Sequence, residues 1–63
     1  MMYDYRELKA YKGYDIDKSW QTDFFGKKIK NTDVYLVSKD DDYIGEEYKT
    51  LADAHRFIDN LVG

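Results

Sequence analysis

Tyr43-Ile44-Gly45-Glu46-Glu47-Tyr48-Lys49-Thr50-Leu51-Ala52-Asp53-Ala54-His55-Arg56-Phe57-Ile58-Asp59-Asn60-Leu61-Val62 is the stretch that decides the fold, because the spacing of its apolar residues changes partway along. As far as Tyr48 it mixes aromatic and β-branched residues with acids, as a short strand does, and Gly45 suits a bulge. From Thr50 onward the period is helical. Leu51, Ala54, Phe57, Ile58, Leu61 and Val62 fall at i, i+3, i+4 and i+7 spacings and form one apolar stripe. Thr50 has the side chain of an N-cap, and Asp53 three residues on complements the helix dipole. Asn60 and Gly63 suit the helix end. A strand over 43–48 followed by an amphipathic helix over 51–62 predicts an α+β arrangement in which a sheet covers the stripe.

Upstream, Asp40-Asp41-Asp42 reads as a solvated hairpin turn, since the ligand and glycine spacing of a calcium loop is missing. Thr32 to Ser38 is rich in β-branched and aromatic residues and nearly continuous in hydrophobicity, which suits a central strand. In 12–21, Tyr14, Ile16, Lys18 and Trp20 alternate with Asp15, Asp17 and Ser19 at the period of a half-buried strand. Before it, Asp4 and Glu7 have capping-box spacing, and Tyr5 with Leu8 would share one helix face; this favours a short N-terminal helix over an extension of the strand. The expected fold is therefore a three-stranded antiparallel sheet packed on one C-terminal helix, with a short helix in front. Its core would combine Leu51, Ala54, Ile58 and Leu61 with Ile16 and Leu36. Tyr35 and Val37 would stay on the open sheet face, where a second copy could pair and form a homodimer.

The 63 residues accommodate one small domain, 1–63, with a single core. Such a chain buries only about 60% of the surface its unfolded form exposes. The absence of cysteine removes disulfides, thiolate zinc sites and thiol catalysis and fits a reducing, cytoplasmic setting. Aromatic residues at 17% supply buried area in compensation. No apolar run approaches the roughly 20 residues of a membrane span, and the first residues lack the pattern of a signal peptide. The net charge of −3 is unevenly placed: four lysines face one acid between residues 27 and 39, whereas seven acids face Lys49 and Arg56 after residue 39. Nucleic acid or anionic lipid would thus be attracted only locally, by the basic stretch.

Acid–base or nucleophilic catalysis needs convergent groups in a water-restricted cleft. His55 is the sole histidine and falls at the border of the apolar stripe, where packing on the sheet explains it. Ser19 and Ser38 have no signalled base. Asp15 and Asp17 share a strand face by their i, i+2 spacing, and solvated edge charges account for them. One histidine and no cysteine leave only unorganised oxygen ligands for a metal. The expectation is a non-enzymatic chain with no catalytic residue, no metal and no cofactor.

The unusual segment is Asp23-Phe24-Phe25-Gly26-Lys27-Lys28-Ile29-Lys30-Asn31, longer and more apolar than a turn needs. Either a phenylalanine folds back to close the core, or the strands continue to a tight turn near Gly26, or Phe24 and Phe25 with Lys27, Lys28 and Lys30 form a docking tip. Such a tip would suit an acidic protein surface or single-stranded nucleic acid, where stacking and local positive charge combine. In an antiparallel meander this basic, aromatic end lies opposite the acidic Asp40–Asp42 end.

The residues from Tyr43 to Ala54 resemble the third strand and helix start of AP2-like DNA-binding domains, in which a glycine and an aromatic precede a threonine-capped helix. That resemblance implies DNA reading by an Arg- and Trp-rich sheet, yet Asp15, Asp17, Glu46 and Glu47 stand in the corresponding strands here. With the N-terminal helix, the element order is also similar to double-stranded RNA-binding domains, whose basic cluster at the last helix is replaced by Thr50, Leu51, Ala52 and Asp53. The short, cysteine-free, Tyr- and Lys/Asp-rich character resembles small proteins of bacteriophages and prophages. A protein-binding accessory or inhibitor-like module is the first expectation, a nucleic-acid-binding domain the second and a structural homo-oligomer unit the third.

Overall fold

The structure, a computed structural model, describes residues 2–63. Four strands, β1 (Met2–Glu7), β2 (Asp15–Thr22), β3 (Val34–Lys39) and β4 (Asp42–Tyr48), are followed by one helix, α1 (Leu51–Val62). The strands form an antiparallel meander in the order β1-β2-β3-β4. The α+β class and the helix match the sequence-based expectation. The strand number does not, because the expected N-terminal helix is a fourth strand. Six residues make a poor helix nucleus, whereas β2 offers Met2-Tyr3-Asp4-Tyr5-Arg6-Glu7 a full ladder from Met2↔Thr22 to Glu7↔Asp17.

Register decides which residues reach the core. Ile16 on β2 lies opposite Val37 on β3, and Val37 opposite Ile44 on β4. Ile16, Val37, Ala54 and Ile58 are fully buried, and Leu8, Tyr11, Tyr14, Tyr35, Ile44, Tyr48 and Phe57 close around them. This corrects the placement of Tyr35 and Val37 on the open face: Val37 is 1% exposed and Tyr35 packs on the core. Side chains alternate along a strand, so Val34, Leu36 and Ser38 take the open face instead, and Leu36 is no partner of Ile58. The near-continuous apolar run of β3 concealed this parity, and pairing with Ile16 resolves it. On the helix only Ala54 and Ile58 are fully buried, while Leu51 and Leu61 remain 38% and 49% exposed. The exposed members of the stripe are those at the two ends of the helix.

Turn chemistry follows the sequence closely. Asp40 and Asp41 adopt positive φ between the paired Lys39 and Asp42, the arrangement of a two-residue hairpin. Lys12 and Gly13 do the same between Tyr11 and Tyr14. The small loop they make folds over α1: the Tyr11 ring stacks on His55 with centroids 3.9 Å apart, and its hydroxyl donates to Asp59 Oδ1 at 2.9 Å. The Lys12 ammonium reaches the same oxygen at 2.7 Å. Hydrogen bonds from Lys12 and then Tyr11 hold the Asp59 carboxyl below its ordinary pKa.

At the start of α1, Thr50 has extended backbone, and its Oγ1 accepts from the Asp53 N–H at 3.1 Å. Thr50→Ala should therefore lower stability by about 0.5 to 2 kcal/mol in thermal or urea melts, with Thr50→Asp tolerated. A neutral alanine would mean that the cap contributes nothing.

Candidate functional site

The segment between β2 and β3 is a second, smaller hairpin that extends β2 beyond the body of the sheet. Thr22 bridges Lys28, and the Ile29 N–H donates to the Gln21 C=O at 2.8 Å. Asp23 then organises the turn. Its N–H donates to the Lys27 C=O at 3.0 Å and its C=O accepts from the Gly26 N–H at 3.1 Å. Its Oδ1 accepts from the N–H groups of Phe25 and Lys27, both at 2.9 Å. Gly26, at φ +78°, takes the left-handed position that closes such a turn. The return strand is set by Thr32, whose hydroxyl accepts from the Gln21 N–H at 2.9 Å and donates to the Ile29 C=O at 2.7 Å.

Phe24 and Phe25 occupy the two central positions of this turn, from which neither ring can reach the core. They are 90% and 95% exposed, the largest exposures among the described large hydrophobics. Of the three readings of the segment, the tight turn near Gly26 describes the backbone, and the core role for either phenylalanine is excluded. Beside the tip, Met2, Thr22, Asp23, Phe24 and Ile29 line a shallow hollow of roughly 240 Å³. Met2 and Ile29 were not legible as site residues. Met2 arrives only because β1 is a strand whose first residue pairs with Thr22.

The three lysines differ in role. Lys27 is exposed in the turn, and Lys30 is exposed beyond the Thr22–Lys28 bridge, at the foot of the hairpin. Lys28 lies 2.9 Å from Asp33 Oδ1, and its ammonium also sits 5.5 Å from the centre of the Trp20 ring. Lys28 is therefore a counter-charge of Asp33 across the foot of the hairpin, and its side chain stays 45% exposed beside Lys27 and Lys30.

The opposite end of the sheet carries a different surface. Tyr5, Glu7, Asp15, Asp17, Asp41 and Tyr43 surround a polar groove of roughly 470 Å³. The Tyr43 hydroxyl donates to Asp17 Oδ2 at 3.2 Å, and the charge of Asp17, followed by that bond, raises the Tyr43 pKa. This end of the open face is acidic, which opposes a phosphate backbone. His55 packs on Tyr11 rather than on the sheet. Among the described residues, no group of three His, Asp or Glu side chains gathers in a way that could hold a metal, and no helix is long and apolar enough to cross a membrane.

Comparison with protein-family models, with curated proteins and with solved structures returns no match.

Proposed function

We propose that this chain is a non-enzymatic protein-binding module, accessory or inhibitor-like, that docks through the hairpin tip formed by Phe24 and Phe25. The observation that carries the proposal is the exposure of both rings on a turn fixed by four hydrogen bonds around Asp23. Displaying two aromatic rings to water is unfavourable for the free chain, and a rigid turn presents them without further ordering cost on binding. Aromatic anchors carry much of the energy of many interfaces, while peripheral lysines set encounter rate and salt sensitivity. The fitting partner is a protein with an apolar pocket rimmed by acids.

The supporting experiment is affinity capture from the source cells with the native chain and with Phe24→Ala and Phe25→Ala as baits. Both variants should melt as the native chain does, because neither ring packs on the core. At least one should weaken capture by about 2 kcal/mol, roughly a 30-fold loss of affinity. Retention of the same proteins by native and variant baits would rule out the tip. Salt-sensitive binding to a generic oligonucleotide, lost with the same two substitutions, would instead favour nucleic acid.

A further inference from the structure

We infer that two copies of this chain associate through β1, edge to edge and antiparallel about a two-fold axis at Tyr5, to make one continuous eight-stranded sheet. The surface is the free edge of β1, distinct from the Phe24–Phe25 turn: among the described residues β1 pairs with β2 alone, and all six of its residues are exposed. The Leu8 N–H donates to the Ile16 C=O at 2.9 Å. Alternation in an antiparallel pair then turns the backbone groups of Asp4 and Arg6 toward β2 and those of Tyr3, Tyr5 and Glu7 toward the free edge. The Asp4 side chain agrees with this, because its Oδ1 accepts the outward Tyr5 N–H at 2.8 Å.

Charge selects the occupant of that edge. When β1 is laid antiparallel on a second β1 with Tyr5 opposite Tyr5, the outward residues pair with each other, Tyr3 with Glu7, and Asp4 faces Arg6 twice. Sliding one strand by two residues in either direction, the smallest step that keeps outward groups opposed, sets Asp4 against Asp4 or Arg6 against Arg6. Opposite charges across a ladder stabilise it and like charges oppose it, so one register is singled out. The free chain leaves these charges unanswered. Arg6 lies opposite Lys18 and Glu7 opposite Asp17 on β2, and among the described residues neither Asp4 nor Arg6 enters an ion pair.

Edge protection differs between the two sides of the sheet. β4 is interrupted by a bulge and carries Asp42, Glu46 and Glu47 along its length. These are the usual devices against strand addition, and their uniform sign repels a second copy. β1 has a full regular ladder, no proline, no lysine and a self-complementary charge order. In the dimer the Tyr5 N–H passes from Asp4 to the Tyr5 carbonyl of the second copy, which frees the Asp4 carboxylate for Arg6 of that copy. Because β1 begins beside the hairpin tip, the two tips then point in opposite directions, and the assembly presents two docking sites.

The test is sedimentation equilibrium over a concentration series for the native chain, Asp4→Arg, Arg6→Asp and an equimolar mixture of the two variants, each checked for native fold by circular dichroism. The expected result is a native species of twice the 7.5 kDa chain mass and both variants at the single-chain mass. The doubled mass should return in the mixture, where position 4 of each chain again faces an opposite charge at position 6 of the other. A native chain that stays monomeric at the highest attainable concentration would overturn the proposal. So would a dimer that survives either single charge reversal, since its interface would then lie on the open sheet face or the tip.

Discussion

Gly45→Ala should unfold the chain or lower its melting temperature by roughly 10 °C or more. Gly45 sits in the β4 bulge at φ +75°, a conformation that an L side chain adopts only with strain. A methyl group there would stand 2.7 Å from the Tyr48 hydroxyl and 2.8 Å from the Phe57 ring. The Tyr48 end can swing away. The Phe57 ring cannot do so freely, because it packs between β4 and the core with its centroid 5.4 Å from that of Tyr48. Strain of about 1 to 3 kcal/mol and overpacking of similar size together remove a large part of the stability of a marginal domain, and each kcal/mol shifts the melting of a domain this small by about 4 to 8 °C. Thermal melts by circular dichroism read the effect, and an unchanged melting temperature would show that the bulge is not held as described.

Ile58→Ala should cost about 2 to 5 kcal/mol, because Ile58 is fully buried between α1 and the Ile16–Val37 pair, where collapse around a cavity is limited. Leu61→Ala, on the same helical stripe, should change stability by less than about 1 kcal/mol, since half of that side chain already meets water. The contrast matters more than either value. Equal effects at the two positions would mean that the helix packs along its whole stripe, as periodicity alone suggests, rather than on the narrow ridge of Ala54 and Ile58. Urea melts on the two variants supply the comparison.

Legibility in the sequence followed the strength of the local signals. The helix, its Thr50 cap and the Asp40–Asp41 turn were readable because each rests on chemistry within a few residues: a 3.6 period, a hydroxyl three residues before a free N–H, and short acids that tolerate positive φ. Gly45 as a bulge was readable for the same reason. β1 is not legible as a strand because the i, i+3 spacing of Asp4 and Glu7 imitates a capping box, while the ladder that makes the segment a strand comes from β2, a separate stretch of chain. The facing of Tyr35, Val37 and Leu36 was hidden because an apolar run with no polar alternation fits either parity.

The candidate site was half legible. The aromatic and basic composition of 23–31 marked it, yet composition could not distinguish a ring folded into the core from one held in water. What separates them is the turn that Asp23 builds with its own backbone and carboxylate, which places Phe24 and Phe25 where no strand neighbour can cover them. The role of Lys28 was likewise invisible until the fold brought Asp33 within 2.9 Å of its ammonium.

The docking role of the tip is tested most directly by placing a photo-cross-linking phenylalanine analogue at position 25, and separately at the exposed position 60 on α1 as a control, in the source cells. Irradiation should give a discrete higher-mass adduct from position 25, containing one partner protein, and none from position 60. No adduct from position 25, or the same adducts from both positions, would contradict the proposal that this hairpin tip is the surface through which the chain works.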